Sequence, residues 1–286
     1  MRRLLLAVVM FGTAAGAQAA DMPDFLRGTL PASTPTRNWD GWYAGGQASE
    51  SWGNANFTQT ATPVINSVFA NTTLETATSQ FTLLGSSNAQ SPGFGAFVGR
   101  NFQYDDIVLG VEANYKYLSN LAASSSGRLG PVQITEPGLV LAPGDTAADS
   151  VSLSGHASVQ LKDELTFRGR AGWAIGDFLP YAFGGVAVGQ MAVSRTVSSN
   201  VDRTIFHSTG TPIPPPTLVP LTQFNLTASD ASSNVYTVGW TAGLGAEYML
   251  WGSVFVRGEW EYIKFVQVDG TAVSQNSVTA AIGYKF

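Results

Sequence analysis

Cysteine is absent from this chain of 286 residues, and charged residues make up only 12% of it. The first absence excludes disulfide bonds and thiolate metal sites. The formal net charge of -5 leaves no basic surface of the kind that binds nucleic acid. Long apolar runs are missing as well. After residue 20 every apolar stretch is short and interrupted, so no segment supplies the roughly 20 apolar residues that a spanning helix needs.

Recognisable catalytic and metal-binding motifs are also missing. The chain has two histidines, His156 and His207, and neither an HExxH pattern nor a Walker-type phosphate loop. His156 and Ser158 are two residues apart and are followed by Glu164, a set of residue types that can act on lipids. His156 and Ser158 have the same even numbering as the inward-facing strand residues. We therefore expect them to point away from the bilayer, where they could not reach a lipid substrate. We therefore expect no enzymatic activity, no cofactor and no metal.

The N-terminal residues have the pattern of an export signal. Residues 1–20 begin with two arginines after Met, continue with a short apolar run and include the small-residue pattern Ala17-Gln18-Ala19. A membrane anchor is the alternative, but the apolar run is too short to span a bilayer. We expect a signal peptide cleaved after Ala19 or Ala20, followed by a periplasmic leader over residues 21–40.

What the chain does contain is alternation with a period of two. In the segment 277–286 the even positions are apolar and end at Phe286, while the odd positions are mostly polar or small. Such alternation is typical of a β-strand with one apolar face. The same reading predicts eight strands, at residues 41–52, 93–104, 107–118, 165–175, 180–193, 234–250, 253–262 and 277–286.

One charge interrupts an apolar face. Arg100 shares the even positions of the second segment with Val98 and Phe102. Either Arg100 lies near an interface and extends its charged end into water, or the register of this strand is the reverse.

The connections between the predicted strands alternate in length. Tight turns are expected at residues 105–106, 176–179 and 251–252, and longer loops at 55–92, 119–150, 195–232 and 267–275. Short turns on one rim and long loops on the other are typical of a barrel that crosses a membrane. The fold class predicted for residues 41–286 is therefore all-β: an eight-stranded antiparallel transmembrane β-barrel with short periplasmic turns and long extracellular loops.

A soluble β-sandwich or a lipocalin-like barrel shows the same alternation with the opposite sidedness. The aromatic residues on the apolar faces and the low charge content favour the membrane, because such a chain would make a poor water-facing surface.

Four segments carry a resemblance to a known family. DMPDFLRG (21–28), WDGWYAGGQA (39–48), FRGRAGWAIGDFLPYAFGGVAVG (167–189) and GYKF (283–286) resemble the alphaproteobacterial outer-membrane immunogenic proteins, small porin-family barrels of eight strands. The resemblance implies an abundant surface protein of a Gram-negative outer membrane, in contact with its lipid, without implying transport. We expect this protein to be a monomer. Arg100 departs from it, since similar barrels tend to have an aromatic there.

The resemblance also implies a partner. In such families the outer-membrane assembly machinery is expected to recognise an apolar aromatic residue that ends the last strand on its outward face. Phe286 is that residue here, and we expect it to act as the assembly signal.

The polar faces of the predicted strands carry charges of both signs. They are Glu112, Lys116, Arg168, Arg170, Glu247, Arg257, Glu259, Glu261 and Lys285. An eight-stranded barrel is only wide enough for its side chains, and an unpaired buried charge is costly, so these groups are expected to pair. This predicts a plugged lumen and a mainly structural role at the surface. Two alternatives stay open: a low-conductance porin for small solutes, and a ligand- or host-binding protein that acts through its long loops.

Overall fold

The computed structural model describes residues 37–72, 74–79, 81–135, 141–208 and 215–286, so the predicted signal peptide and most of the predicted leader lie outside the described residues. No helix in this part of the chain is long and apolar enough to cross a membrane. The strands are β1 (Gly41–Asn56), β2 (Ser86–Tyr104), β3 (Ile107–Thr135), β4 (Thr146–Trp173), β5 (Phe178–Phe206), β6 (Thr217–Pro220), β7 (Thr227–Trp251), β8 (Val254–Phe265) and β9 (Ala272–Lys285). The helices are α1 (Thr62–Val68) and α2 (Glu75–Thr78), with a 3-10 turn at Thr222–Phe224.

Eight of these strands close an antiparallel ring. Strands that follow one another in the chain pair side by side, except that β5 pairs with β7 over most of its length and with the four-residue β6 near its end. The ring closes where β9 pairs with β1, from Tyr43↔Lys285 to Asn56↔Ala272. The predicted eight-stranded barrel is confirmed. Closure pairs the backbone groups of every strand, which is the condition for crossing a bilayer with strands.

Three tight turns lie at one rim of the ring. They cover residues 105–106, 174–177 and 252–253, each within two residues of its predicted position. Gly176 and Gly252 both have a φ of 59°. Tight hairpin turns require this left-handed region, which glycine adopts without a steric penalty.

Two of the four predicted long loops are wrong. Much of residues 119–150 and 195–232 is strand, and β3 and β4 remain paired as far as Thr135↔Ala148. Their many serines and threonines suggested loops because the apolar positions between them are smaller and fewer than in the strands nearer the turns. The composition instead belongs to strands that have a water-facing side.

Two rows of exposed aromatic side chains bound an apolar band on the outside of the ring, which we call the belt. The row near the turns is Trp42, Tyr104, Trp173, Phe178, Tyr248, Trp251, Tyr284 and Phe286. The other row is Trp52, Phe94, Tyr117, Tyr236, Trp240 and Trp260. Ten residues of β1 separate Trp42 from Trp52, roughly 34 Å of strand and about 25 Å of height once the strand tilt is included. That height matches the hydrocarbon thickness.

Beyond the second aromatic row the strands continue into a region that we call the extension: the described residues of 53–92, 119–162, 192–234 and 266–275. In the extension the apolar side chains point inward and the polar side chains point outward, which is the opposite of the belt. Val151 and Leu153 point inward and are at most 1% exposed, while Ser152 and Ser154 between and beside them face outward.

In β3, β4 and β7 irregularities at the top of the belt produce this reversal, whereas β1, β5 and β9 keep their inward parity and change only from polar to apolar residues. Buried positions in β3 change from even to odd numbers between Leu118 and Leu121, and those of β4 from odd to even between Leu161 and Glu164. In β7 an additional residue relative to β5 falls at Asn234, which has a φ of 59°. A bulge that shifts the count by one residue moves every following side chain to the opposite face.

The connection between β1 and β2 fills the extension. The described residues of 57–85, which we call the inner segment, include α1 and α2, and Ile65 and Phe69 are completely buried. Part of it lies so close to β3 that a Cβ at Gly127 would be 1.8 Å from the carbonyl oxygen of Leu83. The interior of the extension is therefore an apolar core closed by the chain itself.

Arg100 keeps the alternation of its strand. It pairs with Trp42 across β1 and β2 and faces outward with Val98 and Phe102. The reversed register is wrong, and Arg100 stands on the outer face of the belt.

Candidate functional site

The lumen of the belt brings most of the predicted charges into one network. Inward positions of β3, β4, β7 and β8 recur every second residue, so each strand directs its charged side chains into the same narrow space. Eight of the nine predicted residues lie there, and none is more than 5% exposed: Glu112, Lys116, Arg168, Arg170, Glu247, Arg257, Glu259 and Glu261.

Lys285 does not join the network. Its Nζ donates to the backbone carbonyl of Asp40 at 2.9 Å, at the rim that carries the tight turns. The inward parity of Lys285 is as predicted, but its position at the end of β9 leaves it below the other charges.

Glu112 is the centre of the network. Its carboxylate accepts hydrogen bonds from Arg168 at 2.6 Å, from Arg257 at 2.8 Å and from the hydroxyl of Tyr43 at 2.8 Å. Arg170 Nη1 lies 3.5 Å away. Hydrogen bonds between charged partners of this kind are the strong ones, because both the donor and the acceptor are ionised.

The three arginines connect Glu112 to two further carboxylates. Arg168 donates to both oxygens of Glu259, at 2.7 and 2.8 Å. Arg170 and Arg257 both donate to Glu247, at 2.7 and 2.8 Å. Each arginine therefore lies between two carboxylates that come from different strands, and the network ties opposite walls of the barrel together.

A second group lies one level higher, toward the extension. Lys116 Nζ is 2.6 Å from Glu164 and 2.7 Å from Glu261. Gln275 donates to Glu164 at 3.0 Å, and Thr241 donates to Glu261 at 2.7 Å. The lysine is thus enclosed by two carboxylates whose remaining oxygens are held by neutral donors.

Aromatic rings pack against the guanidinium groups. Arg257 lies 4.0 Å from the ring centre of Phe97, and Arg170 lies 3.9 Å from that of Tyr181. Attraction between a cation and the ring face adds to the ion pairs in this buried space. The ring of Tyr181 fits because the opposing residue is Gly245, where a Cβ would be 2.6 Å from the tyrosine hydroxyl.

Sequence reasoning missed one charged member of the network. The sequence pattern offers Glu164 only as an acid for His156, because the predicted strand begins at residue 165. It has the same parity as Arg168 and Arg170 on β4, and this signal was sufficient to find it. With Glu164 included and Lys285 outside, the network contains four cations and five carboxylates.

The sidedness predicted for His156 and Ser158 is wrong. The bulge in β4 lies between them and Arg168, so both face outward on the extension, above the belt. Ser158 Oγ is hydrogen-bonded to Ser194 Oγ at 2.9 Å. Glu164, the third member of the set that was considered, points into the lumen.

The other histidine belongs to a polar cluster near the tip of the extension. His207 Nδ1 is 2.9 Å from Asp145 and its Nε2 is 2.9 Å from the hydroxyl of Thr217. The backbone N–H of Ser208 also donates to Asp145, at 3.1 Å. The hydrogen bond from this N–H, and to a smaller extent the one with the imidazole of His207, hold the pKa of Asp145 below its ordinary value. Among the described residues, no group of three or more His, Cys, Asp or Glu could hold a metal ion.

Phe286 lies on the outside of the belt. Its backbone N–H donates to the carbonyl of Trp42 at 2.8 Å, and its ring packs edge-on against Tyr284 with 5.3 Å between centres. The side chain is 74% exposed. It therefore faces lipid at the aromatic row near the turns, as its parity predicted.

A closed ring of eight strands with an apolar belt, two aromatic rows and a polar lumen defines an integral β-barrel of the outer membrane. The comparison with protein families agrees: the outer membrane protein beta-barrel domain matches residues 4–286. The chain belongs to this family, and its location is the outer membrane.

The chain is also similar to individual outer-membrane and surface proteins. The chain is 24% identical over 192 residues to the 25 kDa outer-membrane immunogenic protein of Brucella ovis, a match that covers 67% of this chain and 62% of that relative. Among solved structures, Ail, the attachment invasion locus protein of Yersinia pestis, has 10% identity and a TM-score of 0.31, with 85% of this chain and 99% of that chain covered. Neisserial surface protein A has 13% identity and a TM-score of 0.29, with 86% and 97% covered.

Proposed function

We propose that this outer-membrane barrel has a mainly structural role at the surface and that its lumen is sealed. The observation that carries the proposal is the buried network around Glu112, in which every charge has an oppositely charged partner from another strand. An ion that crossed this level would have to displace Arg168 or Arg257 from a carboxylate in a poorly solvated space, and separating a buried ion pair is costly.

The inner segment supports a second seal above the first. Ile65, Phe69 and Leu74 are at most 1% exposed and lie in an apolar core above the charge network. A hydrated ion that entered from the extension would lose its water without gaining ligands. The alternative function, a low-conductance porin, requires that both the charge network and the apolar core above it open a path for ions.

Conductance in planar bilayers tests the seal. We expect the refolded protein to give no resolvable channel steps. A variant in which a short turn replaces residues 58–84 should also stay closed, because the charge network remains. Adding Arg257→Ala and Glu112→Ala to that deletion should produce steps, whereas adding Lys285→Ala, outside the network, should not. Steady steps from the unmodified protein would overturn the proposal in favour of the porin.

The extension supports a second candidate function, the binding of a ligand or host molecule at the cell surface. Strands β3, β4 and β5 continue well past the belt and hold the loop ends on a rigid, folded support. Binding residues are commonly placed on loops that a rigid scaffold positions. Shortening β3 and β4 together at Ser124 and Ser158 should abolish such binding to cells while leaving the barrel assembled.

We further propose a monomeric, non-catalytic protein that needs no cofactor. Its partners are outer-membrane lipid and, during insertion, the assembly machinery that would recognise Phe286. The outward, separated positions of His156 and Glu164 support the absence of catalysis at the set considered from the sequence. An activity assay with phospholipid substrates on the refolded protein, compared with His156→Ala, tests this.

A further inference from the structure

Arg100 is a feature of the belt that the lumen network does not explain. It faces outward between Val98 and Phe102, which are 48% and 42% exposed on the lipid-facing surface. A cation on this face is unfavourable unless its charged end reaches the interface. Arg100 is near enough to the rim with the tight turns for its guanidinium to do so.

The guanidinium is held in place but weakly paired. Its carbon lies 5.7 Å from the ring centre of Trp42 and 5.1 Å from that of Phe102. The nearest carboxylate is Asp40 at 3.8 Å, which also accepts the backbone N–H of Gln103 at 3.4 Å. Arg100 Nε is buried and has no hydrogen-bond partner in the described part of the chain. The side chain is nevertheless 34% exposed, so an anion with several oxygens can reach guanidinium donors that Asp40 leaves unused.

An apolar groove begins at Arg100 and runs away from the rim. Its volume is about 430 Å³. One row of the sheet places Arg100 beside Val111 and Gly169, and the next row, nearer mid-membrane, places Val98 beside Ala113 and Phe167. The groove is lined by the outward-facing Trp42, Val98, Val111, Ala113, Phe167 and Gly169, and by Gly99 and the strand positions of Glu112 and Arg168, whose side chains point into the lumen. It exists because Ala113 and Gly169 are small residues between larger neighbours.

We propose that Arg100 and this groove bind one phospholipid of the periplasmic leaflet. The phosphate contacts the guanidinium, and one acyl chain lies along the groove. The occupant follows from charge and direction: the cationic end is at the periplasmic side of the belt, and the apolar part extends toward the middle of the bilayer, as in a lipid of that leaflet. The lumen and its charges take no part.

Native mass spectrometry of the folded barrel with added phosphatidylglycerol tests the proposal. The wild type should retain one lipid, and Arg100→Gln should retain it roughly tenfold more weakly, since a hydrogen bond to a charged group is lost. Gly169→Leu should weaken retention similarly by filling the groove. The nearest atom to a Cβ at Gly169 is 4.0 Å away, so a side chain can begin there without a clash with the backbone.

Gly258→Leu is the matched control. Gly258 also faces outward, on β8, and no atom lies within 4 Å of a Cβ there, so retention should not change. Equal retention by the wild type and Arg100→Gln would overturn the proposal, as would unchanged retention in Gly169→Leu. Displacement of the lipid by inorganic phosphate alone would also overturn it, because the groove would then contribute nothing. Heat-modifiable migration on gels verifies that each variant is folded, and Gly169→Leu against Gly258→Leu decides the outcome if Arg100→Gln does not fold.

Discussion

The belt and the extension are built from the same strands with opposite sidedness. In the belt, Arg168 points inward and Phe167 faces lipid. In the extension, Leu153 points inward and Ser154 faces water. The same strands thus face two environments, lipid around the belt and water around the extension. In β3, β4 and β7 a bulge at the boundary moves the following side chains to the opposite face.

The two regions are also stabilised by different forces. The lumen of the belt is held together by ion pairs such as that of Arg170 with Glu247. Their contribution to stability depends on every partner being present. The extension is held by apolar burial around Ile65 and Phe69, which is non-directional and roughly proportional to area. A single change should therefore have different consequences in the two regions.

Deleting Lys162 should have the largest effect. This residue is the additional one in β4, between the pairs Leu161↔Met191 and Asp163↔Gln190. Without it the alternation of the belt would continue upward, and the apolar side chains of β4 in the extension would face water. We expect the extension to lose its protease resistance while the belt still forms. Limited proteolysis measures this. Lys162→Ala is the control, because it removes the side chain but keeps the number of residues in β4. A protected extension after the deletion would show that the bulge does not set the sidedness.

Arg170→Ala should destabilise the barrel by about 4 kcal/mol, because it leaves Glu247 buried with one cation fewer. Removing Arg170 and Glu247 together should cost less than the sum of the two single changes. Equilibrium unfolding in urea measures the free energies. Lys285→Ala, a cation outside the network, should change stability by well under half as much. Small and additive losses would mean that the network contributes little to holding the belt together.

Ile65→Ala should cost about 3 kcal/mol of local stability by leaving a cavity in the extension. The effect should be confined to the inner segment, because the belt beneath has its own contacts. Hydrogen exchange would show faster opening of residues 57–85 with unchanged protection in β8. The control is Thr58→Ala, a change at an exposed residue of the inner segment itself. Equal loss of protection in both regions would contradict their independence.

The smallest effect should come from pH at the tip of the extension. Because the pKa of Asp145 is lower in the folded state than in the unfolded chain, its contribution is present above the unfolded pKa and is lost as pH falls through the folded value, that is, below about 4. The amide of Ser208 should then exchange faster, after correction for its intrinsic rate. Asp145→Asn should remove this pH dependence. A rate that stays constant down to pH 2 would show that the contact has no energetic role.

The sequence predicted the belt well because one rule applies to it throughout. From Leu109 to Tyr117 the apolar residues and the two tyrosines face lipid and the polar residues face the lumen, so parity alone assigned Glu112 and Lys116 correctly. Arg100 broke the pattern without breaking the register, because its neighbouring rings and the nearby interface accommodate its charge.

The extension could not be predicted in the same way. Parity counted from Arg168 placed His156 inward, and nothing in the residues around Lys162 indicates a bulge, since bulges depend on how two strands pair. The inner segment was also invisible as a core, because α1 and α2 are short and have no strong helical period. Burial of Ile65 follows from the closed ring around it, which is a property of all eight strands together.

The position of the inner segment has a consequence for the order of folding. The seam between β1 and β9 joins residues that are far apart in the chain, such as Tyr43 and Lys285, whereas the hairpins of β3, β4 and β5 need only neighbours. Contacts between distant residues form slowly, because a long loop must close first. The inner segment connects the first two strands of the ring, so it can be placed against β3 and β4 while the seam is still open. We therefore expect the seam to be the last part of the barrel to form, after the inner segment has been enclosed.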